Sequence, residues 1–406
     1  MARRSSGEGT ITKGSDGWWH VYMSLGTDPA TGKRRRVHAR GRTRSEVESK
    51  LKEMRQASDR GTGRMTVREW FDAWLDAVDR SLKPRTVGVY RTHTRYLVAG
   101  LGHLRLDKLT TEHIEGLYRS LAERGLSATS IQGVHRSIRA SLNEAVRRGR
   151  LTRNPATYAR PGRADEHEVE PLSTEEAQAI LNAASGERNA ARWGIALGLG
   201  LRQGEALGLC WDDVDLDNRT IRIRRALQRV PWRHGCKHRP CGQSPARCPM
   251  RQGGGLRTMD PKSRSGRRTI VLPERIVTEL RQHRVRQLEE RVAAGEMWQQ
   301  GPDGGWVFAR ATGEPIDPSR DWKNWKALLT KAGVRDVRLH DARHSAATYL
   351  LVQGVDARTV MGIMGWSQIS LTARYQHVVP ELQREAANRM EQLLWGGPGG
   401  SSSSAV

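Results

Sequence analysis

Apolar positions fall into helical registers over most of the chain and alternate over only a few short stretches. Val67, Trp70, Phe71, Trp74, Leu75 and Val78 recur at helical spacing behind a Thr66-x-x-Glu69 capping pattern, so this segment reads as a capped helix with an aromatic core stripe. Lys83-Pro84-Arg85-Thr86 starts a second helix, with proline near its first turn. Ile114, Leu117, Tyr118 and Leu121 mark a third; Ile131, Val134, Ile138, Leu142 and Val146 mark a fourth that ends near Gly149. Strand patterns are shorter. The aromatic run Trp18–Met23 is followed by a turn signal at Thr27–Lys33 and a return strand at Arg34–Ala39, with a short helix over Ser45–Met54. Farther along, Thr220-Ile221-Arg222-Ile223 alternates, and Arg268–Leu272 reads as its partner strand.

These patterns divide the chain into a small basic N-terminal sheet with a helix (1–60), an all-helical region (64–160) and a mixed, mainly helical region with a small antiparallel sheet (172–395). The segment 161–171 has linker composition, Ser173-x-x-Glu176 opens the third region with another capping box, and the Gly/Ser-rich tail 396–406 is expected to be disordered. No internal repeat is visible.

Charge narrows the partner. Among 406 residues, 68 Lys and Arg oppose 44 Asp and Glu, a net charge of +24. Such an excess points to a polyanion, nucleic acid before an anionic membrane. No apolar run is long enough to span a bilayer, and the N-terminus lacks the apolar stretch of a secretory signal. Four cysteines do not make a disulfide scaffold, so a cytoplasmic, nucleoid-associated protein is expected. Arg136, Arg139, Arg147, Arg148 and Arg150 lie along or beyond the fourth helix and form either a solvated face or a phosphate-binding one.

Four short segments carry chemistry-bearing residues. Arg202 and Glu205 are three apart and share a face on a helix, as a structural ion pair or as a guanidinium held toward a phosphate. Lys262 lies in a basic turn before the second strand. His340 and Arg343 share a face at a helix start, joining a proton carrier to a cation. Gly365-Trp366 precedes Tyr375 by nine residues, and a tyrosine can act as a nucleophile or sit as a buried aromatic.

The order of these segments resembles the tyrosine recombinase (phage integrase) family over nearly the whole chain. The resemblance implies an arm-type DNA-binding domain near the N-terminus, a helical, SAM-like core-binding domain over 64–160 and a catalytic domain over 172–395. It implies cutting and rejoining of duplex DNA at attachment sites through a 3′-phosphotyrosyl intermediate, in a homotetramer, without metal or other cofactor. By the match, Tyr375 is the nucleophile, Arg202 and Arg343 hold the non-bridging oxygens, Lys262 is the general acid, His340 assists proton transfer and Glu205 supports the arginine and histidine. Trp366 stands where many members have His. Its indole N–H can donate to the phosphate but cannot shuttle a proton, and the alternative is a plain core residue. The absence of a nucleotide-binding Gly-x-x-x-x-Gly-Lys-Ser/Thr loop agrees with chemistry that stores the phosphodiester energy in the tyrosyl link.

The resemblance also implies that a helix over 380–395, with Leu382, Ala386, Met390, Leu393 and Leu394 on one stripe, docks on a neighbouring protomer or packs on its own domain. A directionality factor or host DNA-bending protein would be a further partner. Rival readings are a non-catalytic sequence-specific DNA-binding protein and a type IB topoisomerase-like enzyme. Between the two catalytic-region strands, Cys236, Cys241 and Cys248 with His234 or His238 offer four ligands for a structural zinc, or else form a basic loop with free thiols.

Overall fold

Thr10–Lys13 (β1), Trp19–Thr27 (β2) and Arg34–Gly41 (β3) form an antiparallel meander. They belong to a computed structural model that describes residues 9–27, 34–62, 65–163, 170–236, 241–261 and 264–368, with isolated positions 387, 388, 390, 391, 394 and 395. Alternation along β2 sends Val21 and Met23 inward, where Val47 and Leu51 of Arg44–Thr62 (α1) cover them. It leaves His20 and Tyr22 on the opposite face beside His38 of β3, with the Tyr22 and His38 rings stacked at 4.5 Å. The helix is longer than Ser45–Met54, because no glycine or proline interrupts it before Gly61.

Four helices follow: Val67–Asp79 (α2), Pro84–Leu101 (α3), Thr111–Glu123 (α4) and Ala128–Arg147 (α5). The Thr66–Glu69 capping box forms as expected, with Glu69 N–H donating to the Thr66 hydroxyl and Thr66 N–H to the Glu69 carboxylate. Trp70, Phe71 and Trp74 are buried with Ile114, Leu121, Val134 and Leu142, and the Trp70 indole donates to Ser141 Oγ at 3.0 Å, so the aromatic stripe is core. Each fully buried side chain of this size contributes about 1.5–3 kcal/mol. Contacts divide the chain into two compact units, 1–166 and 167–406.

The second unit opens with the Ser173-capped helix Thr174–Ala184 (α6), then Ala190–Gly198 (α7) and the short Gln203–Leu207 (α8). The strands Val214–Asp215 (β4), Thr220–Ile223 (β5), Ala226–Val230 (β6), Gly255–Met259 (β7) and Arg268–Val271 (β8) follow. β5 pairs with β8 as the alternation indicated, joined by β4, and β6 pairs with β7 in a separate hairpin. Glu274–Ala294 (α9), Pro318–Ala332 (α10), Leu339–Val352 (α11) and Ala357–Met364 (α12) complete the described unit. Its largest core runs from Ile195 and Leu207 through Ile221, Ile270 and Leu280 to Phe308. No helix among the described residues is long and apolar enough to cross a membrane. Leu382, Ala386 and Leu393 of the expected C-terminal stripe lie outside the described residues, as does the tail 396–406; Met390 and Leu394 are helical and exposed.

Candidate active site

Two turns at which the chain leaves a helix create the site. After α7 the chain passes through Gly200 and Leu201 and places Arg202 at the N-cap of α8. Glu205, in the third helical position, accepts the Arg202 backbone N–H at 3.2 Å and its Nη1 at 2.6 Å, closing a capping box in which the cap side chain is a guanidinium. Glu205 is only 3% exposed. Its Oε2, which takes the Arg202 backbone N–H, also accepts Nη2 of Arg268, from β8, at 3.0 Å. Arg268 also donates from Nε to the Ile363 carbonyl at 2.6 Å, so one buried arginine ties the sheet to Glu205 and to the end of α12.

The second turn ends α12. Gly365 adopts φ 63°, a left-handed conformation open to glycine, and an added Cβ would stand 2.8 Å from Arg268 Nη1 and 3.0 Å from the Ser265 carbonyl oxygen. The carbonyls of this turn serve as acceptors: Gly365 O takes Nη2 of Arg202 at 3.3 Å, and Met364 O takes Nη2 of Arg343. Arg343, in the first half of α11, is buried and donates its Nη1 to Gly200 O at 2.6 Å. Gly365 O thus helps hold the Arg202 guanidinium, and Gly200 O and Met364 O, one from each turn, hold that of Arg343. Trp366 follows directly, half-buried, with the Arg343 guanidinium carbon 5.8 Å from its ring centre. It also packs against the small core of Ala346, Ala347, Val360 and Met364.

His340 lies one turn before Arg343, its ring edge-on to His344 at 4.9 Å between centres. It keeps accessible surface, yet burial among its neighbours, then the Arg343 and Arg202 charges, hold its pKa below the ordinary histidine value. Asp341 caps the same helix by accepting the Arg338 backbone N–H at 2.9 Å and its side chain at 3.0 and 3.1 Å. Burial raises the Glu205 carboxyl, but the Arg268 and Arg202 guanidiniums outweigh it and keep Glu205 ionised well below its usual range. Arg202 and Arg268 pair with Glu205, and Arg343 is held by backbone carbonyls, which leaves the site cationic and suits a phosphodiester.

The structure therefore gathers Arg202, Glu205, His340, Arg343 and Trp366 into one neighbourhood. Lys262 and Tyr375 lie outside the described residues. Sequence reading missed Arg268, which looked like one more cation in a basic turn, and the two glycine-turn carbonyls, which have no side-chain signature.

Comparison with known proteins places this geometry. A model of the phage integrase family matches residues 262–381, and one of the phage integrase SAM-like domain matches residues 66–160. An integrase from Saccharopolyspora erythraea is 39% identical, covering 97% of this chain and 98% of its own. A XerC-like tyrosine recombinase from Caldanaerobacter subterraneus subsp. tengcongensis is 30% identical over 97% of this chain and 100% of its own. Among solved structures, the Tn1549 transposon integrase in complex with transposon right end DNA superposes with a TM-score of 0.63 at 22% identity, over 79% of this chain and all of that one, 100%. A lambda integrase dimer bound to a core site gives 0.54 at 15%, over 92% and 96%. These neighbours share the multidomain fold of mixed helix and sheet. The chain belongs to the phage integrase family of tyrosine recombinases. It is a site-specific recombinase, an enzyme of DNA strand transfer.

Proposed function

We propose that Tyr375 attacks a backbone phosphate of duplex DNA held by Arg202 and Arg343. The tyrosyl oxygen forms a bond to phosphorus and the bond to the 5′-oxygen breaks. Lys262 delivers a proton to that leaving oxygen, and neutral His340 takes the phenolic proton. A 5′-hydroxyl of a partner strand reverses the step. The pentacoordinate transition state gathers negative charge on its non-bridging oxygens, and fixed guanidiniums are matched to it; losing one such donor commonly costs ~10²–10³ in rate. Trp366 donates its indole N–H or packs beside Arg343, and Glu205 orients Arg202. The observation that carries this reading is the pair of turns whose carbonyls, Gly365 O for Arg202 and Gly200 O for Arg343, fix the two guanidiniums.

Residues 172–395 are the catalytic domain in this reading, 64–160 the core-binding domain and 1–60 an arm-type DNA-binding domain. The exposed His20–Tyr22–His38 face, with Arg40 and Arg42 within 5.2 and 5.5 Å of the Trp18 ring centre, has the aromatic and cationic character of a nucleic-acid surface. The exposed Arg136, Arg139 and Arg150 extend that character to the helical region. Attachment-site duplexes are the substrate and a homotetramer the working form, as a lambda integrase tetramer bound to a Holliday junction illustrates. A directionality factor or a host DNA-bending protein sets the balance of integration and excision. The test uses nicked duplexes tiled from the DNA flanking the gene, with Tyr375→Phe as control. A denaturation-resistant protein–DNA adduct absent from the variant supports the reading; specific binding by both proteins with no adduct from either overturns it.

A further inference from the structure

The hairpin of β6 and β7 carries a 24-residue insertion, 231–254, that has almost no core of its own. Among its described residues, Cys248 and Gly254 alone are buried. A segment that buries so little cannot hold one conformation by apolar packing, and protein segments of this kind are held by disulfides or metals. The hairpin nevertheless continues into it. Arg233 and Gln252 exchange both backbone hydrogen bonds at 2.9 Å, and Arg251 stacks over Trp232 at 4.7 Å. Beyond that pair, His234 and Cys236 come from one arm and Cys248 from the other, with Cys241 from the connecting loop.

Their donor atoms converge on a point. His234 Nδ1, Cys236 Sγ, Cys241 Sγ and Cys248 Sγ all lie within 4.8 Å of one another. Cys236 Sγ is 3.8 Å from Cys248 Sγ, and His234 Nδ1 is 3.7 Å from both Cys236 Sγ and Cys241 Sγ. A disulfide requires about 2.05 Å between sulfurs, so these cysteines are not bridged. Ligands on a tetrahedron with zinc–sulfur bonds of about 2.3 Å and zinc–nitrogen bonds of about 2.0–2.1 Å stand about 3.6–3.8 Å apart, which those three pairs match, and the whole set lies within 4.8 Å. The backbone between the first two ligands is shaped for this approach: a Cβ on Gly235 would lie 2.1 Å from the Met250 carbonyl oxygen. His238 lies outside the described residues, and His234 supplies the nitrogen among those described.

We propose that His234, Cys236, Cys241 and Cys248 bind one structural zinc ion that clasps the tip of the β6–β7 hairpin. Three thiolates and one imidazole are a soft donor set that suits zinc and closes its coordination, leaving no open position for catalysis. Binding displaces the three thiol protons, and Nδ1 ligation leaves the imidazole proton on Nε2. Two positive charges against three thiolates leave one net negative charge, which nearby Arg233, Arg247 and Arg251 offset. The clasp fixes the arm that leads into β7, and its closed coordination gives it no part in strand transfer.

The test is metal analysis of the full chain purified without chelator, beside the double variant Cys236→Ser/Cys241→Ser and the control Cys210→Ser. Wild type and Cys210→Ser are expected to hold about one zinc per chain, and the double variant less than about a tenth of that with helical content unchanged. Exchange with Co²⁺ is expected to give the visible bands of a tetrahedral thiolate complex in wild type and Cys210→Ser but not in the double variant. Zinc retained at full stoichiometry by the double variant overturns the proposal. So does a wild-type chain that holds no metal after incubation with Zn²⁺ and gel filtration, or a Cys236–Cys248 disulfide found by non-reducing peptide mapping.

Discussion

Two arginine–carboxylate pairs in the second unit have the same chemistry and opposite surroundings. Arg192 of α7 donates Nε and Nη2 to Asp321 of α10 at 3.2 and 3.0 Å, and the two side chains are 1% and 2% exposed. Arg202 donates to Glu205, whose side chain is 4% exposed, but its own side chain is 41% exposed. The first pair is sealed on both sides, with Gln203 also donating to Asp321, and joins helices. The second has a buried anion under an open cation. A buried carboxylate fixes the guanidinium's orientation while its outer edge stays accessible, which is the arrangement a phosphate needs. Exposure of the cation, rather than the pairing itself, separates a binding group from a strut.

The largest effect should come from breaking the sealed pair. Asp321→Ala leaves the Arg192 charge buried and uncompensated, so unfolding in urea should show a loss of about 3–5 kcal/mol, with cleavage per folded molecule retained. A smaller loss would mean that water reaches Arg192 and that the contrast between the two pairs is weaker than their exposures indicate.

Arg268→Ala sharpens the contrast from the other side. Glu205 keeps Arg202 but loses its charge-assisted bond from β8, and the Ile363 carbonyl loses a donor. A stability loss of about 2 kcal/mol and a roughly tenfold fall in single-turnover cleavage are expected. Arg268→Lys should recover little, because an ammonium cannot reproduce the forked contacts. Recovery by lysine would show that charge alone matters there.

The smallest effect is in pH. His340 is held neutral in the folded chain below the ordinary histidine value of 6.5. Its neutral form is available above that value in any case, so stability there is untouched. As pH falls below 6.5 the unfolded chain takes up the proton first and stability declines. The cleavage rate should hold as pH is lowered through 6.5 and fall only beneath it; a decline centred at or above 6.5 would remove His340 as the proton acceptor.

Much of this was legible in sequence because local rules coincide with tertiary ones. Thr66 and Ser173 cap helices that bury apolar stripes, β5 and β8 alternate, and His340 and Arg343 share a helical face. The β6–β7 hairpin was not legible, since its strands are separated by the insertion and β7 opens on Gly255 without alternation. The charged helix α9 hid its few buried positions, Ile276, Val277 and Leu280, among arginines and glutamates. In the site, the side chains were readable but their supports were not. The Gly200 and Gly365 carbonyls act through backbone conformation, and Arg268 gains its meaning from burial, which a basic run does not announce.

The most direct measurement is single-turnover cleavage of a nicked attachment-site duplex by Arg202→Ala, with its unfolding free energy determined in parallel. The open-cation account predicts adduct formation slowed ~10²–10³-fold, with stability within about 1 kcal/mol of wild type. A variant that cleaves at the wild-type rate, or that loses stability as Asp321→Ala does, would contradict it.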